Sequence, residues 1–220
     1  MSWPDVEALV GRLVLIVPIG SCEQHGLHLP LHTDTVIATD LAERLAAGDE
    51  AFVVAPAVAV TASGEHWGFP GTLSIGAEAM THLVVELVRS ADWAEGVVLV
   101  NGHGGNRTAV ERAAATLRSE GRRLLPWWPQ VPRGDAHAGH TETSLMLAIA
   151  PGDVRMSAAV AGVTTPVGDL ADRLRTEGVR AVDANGVLGD PTSASAAEGV
   201  ELMASLTADL VGAVDAWRRS

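Results

Sequence analysis

Residues 96–106 read Gly-Val-Val-Leu-Val-Asn-Gly-His-Gly-Gly-Asn. The unbroken run of branched and bulky apolar side chains marks a strand buried on both faces. The glycines that follow permit positive φ and a close approach of backbone to a ligand. Asn106 reads as the N-cap of a helix over residues 107–120. A buried strand that runs through a glycine turn into a helix is the repeating piece of an α/β fold with a mainly parallel sheet.

The same alternation extends in both directions. Residues 13–19, 51–60 and 123–127 read as further strands, and residues 35–47, 78–93 and 194–217 as helices. Thr141 is placed to cap a helix over residues 141–149, which Pro151 stops. Residues 158–191 carry no pattern that assigns them. No repeat or low-complexity linker interrupts the chain, so residues 1–220 are expected to form one domain, with helices on both faces of the sheet. Ligands of such sheets bind beyond the carboxyl ends of the strands. Function is therefore expected just after residues 19, 60 and 100.

Composition narrows the function. The formal charge of −12 argues against a nucleic acid or an anionic membrane as partner. All fifteen basic residues are arginine, which excludes a Schiff-base lysine and a lysine-bearing phosphate loop. The single cysteine, Cys22, leaves no internal disulfide. Its thiol beside His25 raises the idea of a thiolate nucleophile, against the plainer reading of a small buried thiol. No apolar run reaches the roughly 20 residues of a membrane span. The first residues carry no signal-peptide pattern, so the cytoplasm is the expected location.

Three polar clusters stand out. Residues 20–34, Gly-Ser-Cys-Glu-Gln-His-Gly-Leu-His-Leu-Pro-Leu-His-Thr-Asp, hold three histidines and two carboxylates. Glu23 and His25, two apart in an extended segment, point the same way, and Asp34 returns as a third ligand at a helix start. Imidazole and carboxylate suit zinc, iron or manganese, and a carboxylate that bridges two ions can generate a nucleophilic hydroxide. His28 and His32 read as supporting or exposed residues. His103 sits at the tip of the strand quoted above, and the Gly104 and Gly105 amides could hold an anionic oxygen. Residues 134–144 contribute Asp135, His137, His140 and Glu142. Glu142 reads either as a ligand or as a simple helix-start charge. His137, in a flexible glycine-flanked loop, suits a proton carrier. Asp135 and His140 read as supporting residues, and Glu65-His66 as either pocket-lining or a tied-down loop.

Together, Glu23-Gln-His25-Gly with Asp34, Asn-Gly-His103-Gly-Gly-Asn and Glu142-Thr-Ser resemble the creatininase family. The resemblance implies a three-layer α/β/α domain, two divalent metal ions per subunit, hydrolysis of an amide-like C–N bond and a homo-oligomer. It implies that Glu23 and His103 hold one ion, that His25 holds the other, and that Asp34 bridges them. His137 matches the family's proton-transferring histidine. A family glutamate that ligates the second metal falls at Gly105, and Glu142 is the expected replacement. Several stretches, including residues 63–72, 135–145 and 185–192, are most similar to the mycofactocin-system branch. Its members cut a modified precursor peptide before its terminal Val-Tyr pair and release the cross-linked dipeptide. The alternative substrate classes within the family are creatinine and formamido-pyrimidines. Trp67, Trp127 and Trp128 are candidates to meet the peptide's aromatic end.

Overall fold

The computed structural model describes residues 1–132 and 134–220. Short helix α1 (Trp3–Glu7) precedes β1 (Val14–Ile19), α2 (Thr33–Ala46) and β2 (Phe52–Val54). Then come α3 (Gly76–Ser90), β3 (Gly96–Asn101), α4 (Arg107–Ser119) and β4 (Leu124–Trp127). The remainder is helical: α5 (His140–Ile149), α6 (Val167–Glu177), α7 (Val179–Val182) and α8 (Ala196–Arg218). The strands pair in the order β2-β1-β3-β4, and all three pairings are parallel. Every residue of β1 and β3 is buried, as continuous apolar runs require in a sheet covered on both sides.

Side-chain alternation sorts those residues into two cores. Val14, Ile16, Val98 and Val100 pack with Ile37 and Leu41 of α2, Met146 of α5 and Leu206 and Leu210 of α8. Leu15, Val17, Val97 and Leu99 face the other way, against Val84 and Val88 of α3 and Val110 and Leu117 of α4. The architecture is three layers, α/β/α. At Gly199 a Cβ would overlap the Ser144 carbonyl, so glycine is what lets α8 press against α5. Among the described residues no helix is long and apolar enough to cross a membrane.

Three local readings of the sequence need correction. The strand expected over residues 51–60 ends at Val54: Ile16 still accepts from the Ala55 N–H, but Pro18, next along the edge of β1 that faces β2, has no N–H to continue the ladder; beyond it Val58 bridges Ile19. Thr141 is not a cap: α5 begins at His140, and the Asp135 carboxylate accepts from the backbone N–H groups of His140 and Thr141. Asn106 makes no capping bond either. Its buried amide donates to the Gly20 carbonyl (3.0 Å) and Asn101 Oδ1 (3.1 Å) and accepts from the Ala62 N–H (3.1 Å).

That amide ties together the segments leaving β1, β2 and β3. After β1 the chain turns to α2 on one face, and after β3 to α4 on the opposite face. Adjacent strands whose connections diverge leave a crevice at their carboxyl ends. Replacing Asn106 with alanine strands several buried polar groups, so Asn106→Ala should lower stability by about 2–4 kcal/mol. Denaturant unfolding checks this, the midpoint falling without a change in slope.

Candidate metal centre

The crevice holds the residues that the sequence singled out. Glu23 and His25 follow β1, Asp34 lies in the first turn of α2, His103 follows β3, and Glu142 lies in the first turn of α5. Asp34 divides its carboxylate between two imidazoles. Oδ1 lies 3.1 Å from His25 Nε2 and Oδ2 lies 3.1 Å from His103 Nδ1. Glu23 Oε2 is 3.2 Å from His103 Nε2, and Glu142 Oε2 is 3.9 Å from His25 Nε2. The sets Glu23–Asp34–His103 and His25–His137–Glu142 each bring three possible ligand atoms within 4.8 Å of one another. Glu23, Asp34, His103, His137 and Glu142 line a cavity of 610 Å³ together with Gly104 and Gly105.

Backbone carbonyls fix the imidazole tautomers. A carbonyl only accepts, so the nitrogen facing it carries hydrogen. His25 Nδ1 donates to the Glu23 carbonyl (3.1 Å), His103 Nε2 to that of Ala62 (2.9 Å) and His137 Nε2 to that of Gln24 (2.8 Å). Each ring then has one nitrogen with a free lone pair, aimed at carboxylates. Anchoring one ring nitrogen on a carbonyl and freeing the other is how proteins orient histidine for a metal. Gln24 extends the pattern. Its Oε1 accepts from the Gly26 N–H (2.9 Å), and its Nε2 reaches the Gly186 carbonyl (3.0 Å) and His66 Nδ1 (2.9 Å). His66 therefore carries its hydrogen on Nε2, 3.2 Å from Glu23 Oε1.

The electrostatics call for positive charge. Glu23 is fully buried, and neither carboxylate oxygen has a hydrogen-bond partner among the described residues. Burial pushes Glu23 up to about 8, while His103 pulls the other way. Burial also raises Glu142, to about 7, against the pull of His25. Burial disfavours charge on the rings, yet Asp34, Glu142 and Glu23 push His25 up to about 10. Glu23, Asp34 and Glu65 likewise push His103 up to about 10 against its burial. Burial, reinforced by His25 and His66, holds His137 well below the usual imidazole range. Without a cation, protons on His25 and His103 balance the carboxylates. A divalent ion suits the same donors and the same charge deficit.

Several expectations meet the structure differently. His137 is not on a flexible loop. It is buried, and its carbonyl accepts from the Leu188 N–H at 2.9 Å. Ala138 beside it has φ of +50°, a conformation that alanine adopts only under constraint, and its N–H donates to Glu142 Oε2 at 2.6 Å. The Cys22 thiol approaches the Gly71 carbonyl at 3.6 Å, and both His25 ring nitrogens are engaged elsewhere. Trp127 is in the core, bonded to Asp209 Oδ2 (2.8 Å), and Trp67 is exposed; neither lines the cavity. Trp128 lies under the Arg107 guanidinium, beside a neighbouring cavity. His28 is buried against Thr143 Oγ1 (2.8 Å), and His140 meets Glu198 near the surface. His66, which the sequence leaves between pocket lining and a tied-down loop, is buried and lines the cavity; its place just beyond the second strand is the signal that points to it.

A family model described as creatininase (creatinine amidohydrolase) matches residues 1–214. The chain belongs to the creatininase family. The mycofactocin precursor peptide peptidase of Mycolicibacterium smegmatis is 50% identical over 212 residues, covering 93% of this chain and 85% of that protein. A solved structure described as "Creatininase Mn" superposes with a TM-score of 0.80 at 25% identity, covering 97% of this chain and 95% of that one. A variant creatininase of "Zn-Zn type" also gives 0.80, at 26% identity with the same coverage.

Cation uptake must displace the protons that the free site holds. Metal binding near pH 7 should therefore release protons, and affinity should rise with pH as Glu23 (about 8), His25 and His103 (about 10) lose theirs more readily. Titration calorimetry in two buffers of different ionisation enthalpy measures this release. Equal heats in both would contradict the assignment.

Proposed function

We propose that the chain is a metal-dependent peptidase that hydrolyses the modified mycofactocin precursor peptide and releases its C-terminal cross-linked dipeptide derived from Val-Tyr. The observation that carries the hydrolytic reading is Asp34, buried between two imidazoles from different strand ends with one carboxylate oxygen toward each. The substrate follows from the similarity to the mycobacterial peptidase. Creatininase-family enzymes act on C–N bonds, and a peptide bond is such a bond. Residues 1–220 are read as one catalytic unit, working in the cytoplasm as a homo-oligomer.

In this reading Glu23, Asp34 and His103 hold one divalent ion, and His25, Asp34 and Glu142 hold the other. Zinc, iron(II) and manganese all suit these donors. Bound ions would supply Lewis acidity and lower the pKa of a water to near 7. The chain's own residues do the rest. Burial keeps His137 neutral, with its Nε2 hydrogen spent on the Gln24 carbonyl. Nδ1 is therefore the atom that takes up a proton and hands it to the departing amine. The Gly104 and Gly105 amides border the cavity and would steady the oxyanion. The crevice shields both steps from bulk water.

Purified protein should cleave the modified precursor, leave creatinine and a formamide untouched, and lose activity on chelation. His137→Ala should lower kcat by about 10²–10⁴-fold while metal content by elemental analysis stays at the wild-type level. Glu23→Gln should lose both metal and activity. Undiminished turnover by Glu23→Gln protein stripped of metal would overturn the reading.

A further inference from the structure

Gly105 departs from the family pattern, and its surroundings say what took its place. Its φ is not among the positive values of the chain, so the backbone does not demand glycine there. Space does. A Cβ at 105 would overlap Glu65 Oε1 and His103 Nε2 and crowd the Ala62 carbonyl at 2.8 Å. The adjacent Gly104 has open space where its Cβ would be. The carboxylate of Glu65 thus fills the volume that a side chain at 105 would enter.

Glu65 comes from the turn Gly64–His66, beyond the end of β2. Asn106 bolts this segment to the glycine loop through the Ala62 N–H. The turn serves the centre twice. His66 presents Nε2 to Glu23 at 3.2 Å, and Glu65 Oε1 lies 3.6 Å from His103 Nε2. The Glu65 side chain is 29% exposed, on the cavity side of the centre that Glu23 closes from within. No cation partners it: among the described residues its only ion-pair neighbour is His103.

We propose that Glu65 is a further carboxylate of the metal centre, serving the ion held by Glu23, Asp34 and His103 from the cavity side. Glycine at 105 is what admits it. Carboxylate and glycine form an exchange pair: the acid sits on the loop after β2, and the loop after β3 gives way. Glu142 stands on the other flank, against His25, and does not fill this volume. The inference rests on the metal-dependent reading above.

The test uses full-length protein stripped of metal and titrated with zinc against a chromophoric chelator. Glu65→Gln keeps the side chain's volume but removes its charge. Gly105→Ala leaves the Glu65 charge intact but sets a Cβ against Glu65, His103 and the Ala62 carbonyl. Each should weaken zinc binding by about 10–100-fold, with the unfolding midpoint of metal-free Glu65→Gln little changed. Wild-type affinity in Glu65→Gln overturns the proposal. If wild-type protein takes up no zinc, iron(II) or manganese, the metal-dependent reading falls, and this inference with it. Zinc uptake by wild type with undiminished affinity in Glu65→Gln removes this inference alone.

Discussion

A carboxylate taken out of water must be met by donors or by positive charge, and Glu23 imposes that condition on the rest of the molecule. Both its oxygens are buried with no well-formed hydrogen bond among the described residues, and the imidazole nitrogens of His66 and His103 stand 3.2 Å away on either side. Asp34, buried beside it, adds a second negative group, held well below the usual carboxylate range by His25 and His103 although burial opposes its charge. Protons on the histidines can satisfy this demand, and so can divalent ions. Because the two compete for the same lone pairs, metal occupancy and proton occupancy are one equilibrium.

The fold creates that demand by geometry. β1 and β3 lie side by side in register from Val14↔Gly96 to Ile19↔Asn101, then part to opposite faces of the sheet. Glu23 and His103 are delivered to the gap so formed. The carbonyls of Glu23, Gln24 and Ala62 set which nitrogen of each ring is free, and those carbonyls belong to loops tied down by Asn106 and Gln24. The site is thus oriented mainly by backbone, which leaves its side chains free for ligands. The constrained backbone at Ala138 serves the same end, because it turns His137 inward while giving its N–H to Glu142.

Much of this was legible in the sequence, for physical reasons that differ by residue. Continuous branched apolar runs marked β1 and β3, since only a strand covered on both faces tolerates them. The alternation of strand and helix implied the parallel sheet, which in turn directed attention to the strand ends where Glu23, His25, Asp34 and His103 lie. Pro18 was visible too, but its effect on β2 depended on which neighbouring strand its missing N–H would have faced. Asn106 has the chemistry of a cap, and its position before α4 suggested one; three buried partners from other loops outbid that local role.

The sequence by itself determined the layers, the strand ends and the kind of donor each polar cluster offers, because periodicity and side-chain chemistry are local properties. Only the tertiary structure decided which donors meet. Gln24 touches His66, His137 and Gly186, 42, 113 and 162 residues away along the chain. Glu65 finds the space beside Gly105 only because β2 and β3 flank β1 in one sheet. Such meetings are set by how strands are ordered and where loops are pinned, and no spacing along a chain encodes that distance.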